Sequence, residues 1–256
     1  MNLIPFSGIC TLGHMEITRT SLPTIAHLRK EFLSENNIQF ILDKAHRYGW
    51  ADLYVFTVNQ SHVGYGSVWG KEKREDRDAI FEFYLVSEYR QQAQKIFVDF
   101  CHASKAPHIE SQSNDKFLYP MFEKFADNVE TEAILFADDH ETNFDGKGSS
   151  LLPRPQSNPD DCQYALMNNG EEVGEGGFML NYNLPYADIY YSVGEQYRRK
   201  GFGSFIVQEL KKEIYKMGRV PAARCNAKNM ISKATLLKAG LVVCGERLSG
   251  DLKKNF

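Results

Sequence analysis

Six consecutive residues, Arg198, Arg199, Lys200, Gly201, Phe202 and Gly203, carry the most specific chemistry in this chain. Glycines let the backbone approach a ligand with no Cβ in the way. A helix start just after them offers unpaired N–H groups, and three cations add charge. Such a stretch suits an anion, and a phosphate-bearing cofactor is the natural guest. The charge is local: residues 195 to 219 hold seven Lys or Arg against three Glu, in a chain of net charge −3.

Two elements position these residues. Before them, Ile189, Tyr191 and Val193 alternate with Asp188, Tyr190 and Ser192, the period of two expected of a strand whose faces meet different surroundings. After them, Ile206, Leu210, Ile214 and Met217 recur at helical spacing, which predicts a helix from Ser204 that ends at Gly218. A second block, Cys225-Asn226-Ala227-Lys228-Asn229-Met230-Ile231-Ser232 running on through Leu236, Leu237 and Gly240, reads as another strand and helix.

Through these two blocks the sequence resembles the GNAT superfamily of acyl-CoA-dependent N-acyltransferases. Arg198-x-x-Gly201-x-Gly203 is similar to the family's acetyl-CoA pyrophosphate loop, and the second block to the strand and helix that flank the pantetheine arm. The resemblance implies an acetyltransferase that uses acetyl-CoA as cosubstrate and attacks it directly with an amine, and the N-terminus and cysteine usage predict a cytoplasmic protein. The cofactor would be held by Tyr191, Val193, Arg198, Arg199, Lys200, Gly201, Phe202, Gly203, Ser204, Asn226 and Asn229. The Val193 main chain would polarise the thioester carbonyl, where negative charge develops on attack, and Asn229 is equally a helix N-cap. Amine transfer needs a base for the ammonium proton and an acid for the thiolate. Glu175, Asp188 and Tyr190 are candidates for the first and Ser232 for the second, because the helix from 229 to 238 lacks the Tyr many relatives use. A non-catalytic CoA sensor or scaffold is the alternative.

Composition narrows the partners. The net charge argues against a nucleic-acid or anionic-membrane binder, and no apolar run approaches membrane-spanning length. Met1-Asn2-Leu3-Ile4-Pro5-Phe6 lacks a basic region and a long apolar core, so no leader is expected. Cys10, Cys101, Cys162, Cys225 and Cys244 are scattered, which predicts buried, unpaired residues in a reducing compartment. Neither they nor the seven histidines show ligand spacing, and no metal is expected. The expected partner is a small-molecule or peptide amine, with the chain a monomer or homodimer.

In chain order, Met15 to Thr20 alternates as a strand, and Leu22-Pro23 opens a helix through Ile25, Leu28 and Phe32. A second helix is predicted through Ile38, Phe40, Ile41 and Ala45. Strands follow at 53–58, 62–69 and 79–85. A repeat then becomes visible: Glu88-Tyr89-Arg90 to Lys95 aligns with Gln196-Tyr197-Arg198 to Gly203, with Ala93 and Lys95 where the later copy has glycines. Asn114, ahead of a helix with Met121 and Phe122, matches Asn229, and a strand at 132–137 is expected to close the first unit. The whole predicts a mixed α+β chain of two tandem GNAT-like domains, each a mostly antiparallel twisted sheet flanked by helices: a degenerate copy over 1–138, a linker over 139–161 and the acetyl-CoA-binding copy over 162–256. The later copy has strands at 163–167 and 172–180 joined by an Asn168-Asn169-Gly170 turn. It lacks the two helices that in the family help wall the acceptor site, and the first copy is expected to supply that wall.

Overall fold

The computed structural model describes residues 15–39 and 42–254; Cys10, Phe40 and Ile41, named above, lie outside them. In order come β1 (Met15–Thr20), α1 (Leu22–Glu35), α2 (Leu42–Arg47), β2 (Asp52–Val58), β3 (Ser61–Trp69), β4 (Ala79–Leu85), a 3-10 turn (Ser87–Gln92), α3 (Ala93–Ser104), β5 (His108–Gln112), α4 (Tyr119–Phe125) and β6 (Ala126–Asp138). The later half comprises β7 (Ser149–Pro153), β8 (Asp161–Asn168), β9 (Glu171–Met179), β10 (Tyr186–Val193), α5 (Phe202–Lys216), β11 (Val220–Asn226), α6 (Met230–Lys238) and β12 (Leu241–Leu252). The β8–β9 turn forms because Asn169 and Gly170 both take positive φ, 52° and 84°.

All twelve strands join one sheet in the order β1-β2-β3-β4-β5-β12-β6-β11-β10-β9-β8-β7. The two halves therefore exchange their last strands, which corrects the expectation that the strand at 132–137 closes the first unit. β6 pairs antiparallel with β11, Ala137 opposite Ala222 and Ala133 opposite Asn226. β12 in turn pairs with β5, Arg247 opposite Gln112. Burial gives the reason: Ile134 and Phe136 of β6 belong to the core beneath α5, with Phe178, Ile206 and Leu210, while Leu248 of β12 belongs to the core beneath α3. A chain nicked by trypsin at Lys147 is expected to stay in one piece, because β6 lies between β11 and β12. Native size-exclusion chromatography should show the fragments co-eluting, and separate elution would contradict the exchange.

The first half is covered on both faces. α1 lays Ile25, Leu28 and Phe32 over Tyr65, Phe81 and Tyr84, and α3 and α4 cover the other face through Phe97, Phe100 and Phe122. In the second half α5 and α6 cover one face. No helix lies between β7 and β8, and on the opposite face only Leu135, Tyr182, Tyr186 and Ala222 form a small cluster. Glu175 is accordingly exposed at the place where the first copy buries Tyr65.

The repeat is visible in single contacts. Arg90 Nε donates to the Leu85 carbonyl at 2.9 Å, and Arg198 Nε to the Val193 carbonyl at 3.3 Å, five residues back in each copy. Gly66 and Gly176 each let a helix approach, since a Cβ would strike the Phe100 ring in one case and Ile206 Cγ2 in the other. Gly66→Ala should therefore destabilise the fold by about 1–3 kcal/mol, as overpacking of a closed core does; an unchanged melting temperature would contradict it. One detail differs from the aligned repeat. Asp115, not Asn114, accepts from the amides of Phe117 and Leu118 ahead of α4, since a carboxylate at that position reaches both.

Candidate functional site: a splayed strand pair below a glycine turn

β10 and β11 run parallel and pair only from Tyr186 opposite Val220 to Ile189 opposite Ala223. Beyond that point they separate, while β10 stays paired with β9 as far as Val193 opposite Gly174. Gly194 donates its N–H to Val173 of β9. Alternation along the strand then turns the main-chain groups of Val193 and Tyr191 to the other edge, into the gap that β11 leaves. The gap runs from Val193 to its apex at Ile189, about 13 Å of strand.

The glycine turn stands at the open end of this gap. Arg199 and Gly201 take positive φ, 62° and 92°, and Gly201 is the N-cap of α5, which begins at Phe202 rather than Ser204. The left-handed turn makes the helix start two residues early, a conformation that periodicity of apolar residues does not reveal. The first backbone bond is Phe205 N–H to the Gly201 carbonyl, so the amides of Phe202, Gly203 and Ser204 precede the ladder. A Cβ at Gly201 would meet nothing within 4 Å, so the space above the turn is open. Gly203 serves packing instead: its Cβ would lie 3.1 Å from Thr235 Cγ2 and 3.3 Å from Tyr191 Cε2. Two of the three cations fold back onto the protein, Arg198 onto the Val193 carbonyl and Lys200 over the Tyr197 ring at 5.5 Å. Ser204 is buried with its hydroxyl on the Thr235 carbonyl, leaving its amide as its contribution to the turn. This set fits a diphosphate: main-chain donors, a helix N-terminus and room for the ligand.

On the α5 and α6 side of the gap, Tyr191 Oη and Ser232 Oγ lie 3.0 Å apart, and burial pushes the neighbouring Cys225 thiol up. Asn226 Oδ1 accepts from the Lys228 amide and Asn229 Oδ1 from the Ser232 amide, so both carbonyl oxygens serve local turns.

On the opposite face, Asp188 and Arg224 flank the apex, with 3.4 Å between Asp188 Oδ2 and the guanidinium. Asp188 is 6% exposed and its Oδ1 has no hydrogen-bond partner. Burial pushes its carboxyl up to about 6, against the opposing pull of Arg224. The other two base candidates are engaged by other side chains. Tyr190 donates to Asp161 Oδ1 at 2.6 Å, and burial and that carboxylate raise its phenol. Glu175 lies 3.5 Å from Arg154 on the exposed face of β9.

The first half reaches this face. The Asp43 amide donates to Asn183 Oδ1, Asn183 Nδ2 to the Ile38 carbonyl, Asn181 Nδ2 to Tyr48 Oη, and Arg47 pairs with Asp160. Lys44 on α2 sits over the rings of Trp50 and Tyr182, at 5.8 and 5.7 Å. Lys44, Tyr182 and Arg224 were not legible as site residues, because they meet only in three dimensions; the missing pair of helices was the signal that something else must cover this face.

The first copy keeps the gap and lacks the turn. β4 and β5 pair only at Ala79–His108 and Ile80–Ile109, and beyond them lies a cavity of about 630 Å³ bordered by Phe83, Leu85, Arg90, Phe117 and Met121. Gln92 and Ala93 have φ of −104° and −52°, so no left-handed turn forms there. Among the described residues no cluster of three His, Cys, Asp or Glu is placed to hold a metal ion, and no helix is long and apolar enough to cross a membrane. Of the cysteines expected to be buried, Cys101 and Cys225 are, whereas Cys162 and Cys244 are partly exposed.

A family model described as "Acetyltransferase (GNAT) domain" matches residues 21–139, the first copy. Among curated proteins none matches. Among solved structures, an acetyltransferase from the GNAT family of Colwellia psychrerythraea aligns with a TM-score of 0.75 at 13% identity, covering 93% of this chain and 100% of that one. A tandem GNAT protein from the clavulanic acid biosynthesis pathway aligns at 0.64 and 9% identity, over 95% and 100%. A GCN5-related N-acetyltransferase from Sphaerobacter thermophilus aligns at 0.61 and 11%, over 96% and 98%. At these identities the shared property is the fold.

Proposed function

We propose that the chain is a GNAT-type acyltransferase whose later half, completed by β6, binds acetyl-CoA and transfers the acetyl group to an amine; the domain model matched over residues 21–139 and the fold shared with GNAT-family structures support this reading. The observation that carries this reading is the open Gly201 turn at the end of a strand pair that splays toward a buried, half-partnered carboxylate. Acetyl-CoA, when bound, supplies an acetyl thioester.

The chain's own residues divide the remaining work. The amides of Phe202 to Ser204 hold the diphosphate, and the Val193 and Tyr191 main chain orients the arm within the gap. Asp188 takes a proton from the attacking ammonium through its unpartnered Oδ1, directly or by one water. The Tyr191 and Ser232 hydroxyls, on the other face of the apex, hold the proton that the departing sulfur requires. Asn226 and Asn229 have spent their side-chain oxygens, which leaves their Nδ2 groups as donors. We place the protein in the cytoplasm, where the four free cysteines among the described residues would stay reduced.

Steady-state kinetics across pH test the base. A carboxyl near 6 must be ionised to accept a proton, so kcat/KM is expected to rise through about pH 6 and then level off. Acetyl-CoA binding without transfer to any of a broad amine panel would instead favour a sensor.

A further inference from the structure

The seam between the two halves places beside the apex a cation that, among the described residues, has no carboxylate within ion-pair distance. Lys44 is half-buried and, among the described residues, has neither a hydrogen-bond partner nor a carboxylate in ion-pair range. Its near neighbours include further cations. Burial, then the positive charge of Arg224 and later that of Arg74, lower its ammonium, with Asp188 and Asp160 acting the other way. Arg224 already shares Asp188 and donates to Tyr182 Oη at 2.7 Å. Asp160 is engaged by Arg47. Arg74 lies over the Trp69 ring at 4.0 Å and donates to the Gly70 carbonyl. Arg224 has Asp188 as a partner, whereas Lys44 has no carboxylate of its own, so a further anion beside Lys44 would offset the cost of holding its charge at a partly buried seam.

Next to these cations, Asp188 Oδ1 is buried and unpartnered. It is an acceptor for a cationic N–H. The apex thus offers one site for an ammonium and, on the first-half side, one for an anion, with the Trp50 and Tyr182 rings beside it.

We infer that the acceptor is a zwitterion, a free α-amino acid whose amine meets Asp188 while its carboxylate sits between Lys44 and Arg224. This rests on the reading of the later half as an amine acetyltransferase. It assigns Lys44, contributed by the first copy, to substrate selection.

The test compares each of the twenty L-amino acids with its α-carboxamide, which keeps the amine and side chain and removes the negative charge. Binding is read by calorimetry without acetyl-CoA, and transfer is read in its presence. At least one free acid is expected to bind and be acetylated, with at least about tenfold loss of kcat/KM for its amide, as for an unpaired buried charge. In Lys44→Met that tenfold preference should vanish while acetyl-CoA affinity and the melting temperature hold; Lys44→Arg should keep most of it. Amides used as well as acids, preference unchanged in Lys44→Met, or transfer only to amines without a carboxylate would each overturn the inference and leave the acetyltransferase reading standing. Absence of acetyl-CoA binding by the wild type would overturn both.

Discussion

Gly201→Glu is expected to abolish acetyl-CoA binding, a loss on the order of 100-fold or more in affinity. Two effects act together. The residue has φ of 92°, which costs an L-amino acid about 1–2 kcal/mol, and the new carboxylate enters the open space above the turn, where the diphosphate would lie. Gly201→Ala separates them. It bears the backbone cost without the charge, so it should lower the melting temperature about as much as the glutamate and weaken binding far less. Circular dichroism should show both variants folded, since Gly201 is exposed and a Cβ there touches nothing. Calorimetric titration with equal affinities for wild type and Gly201→Glu would remove the turn from the site.

Asp188→Asn should retain acetyl-CoA binding and lose about a hundred- to ten-thousand-fold in kcat/KM, the usual contribution of a positioned base. Asparagine matches the carboxylate in shape and still reaches Arg224, yet it cannot take a proton at neutral pH. The acidic limb near pH 6 should disappear with it. By contrast, Glu175→Gln and Tyr190→Phe should leave most of the activity, because those side chains are engaged with Arg154 and Asp161. If Glu175→Gln proved the damaging change and Asp188→Asn did not, the base would lie on the exposed face of β9.

Much of this architecture could be read from local pattern. The alternation at 187–193, the apolar spacing from Ile206 to Ile214 and the Asn169-Gly170 turn each translate into one element, since each is decided by neighbours in sequence. The repeat was legible for the same reason, down to Arg90 and Arg198 in equivalent bonds. Pairing partners were not. Nothing in the alternation of Ile134 and Phe136 says whether they pack beneath α3 or α5, and the exchange of β6 and β12 followed only from the completed cores.

The candidate site divides along the same line. Val193 and Gly201 stand out in sequence, because their roles are those of the backbone. Lys44 and Arg224 lie 180 residues apart, and Tyr191 of β10 meets Ser232 of α6 across 41 residues of sequence. The hydroxyl sought on the helix from 229 to 238 is thus joined by one from β10.

Amide hydrogen exchange with and without acetyl-CoA tests the site most directly, because it locates a ligand without presuming turnover. Added protection is expected over residues 191–204 and 225–236, with residues 83–95 of the first copy unchanged. Protection centred on 83–95, or none at saturating acetyl-CoA, would contradict a cofactor site at the Gly201 turn.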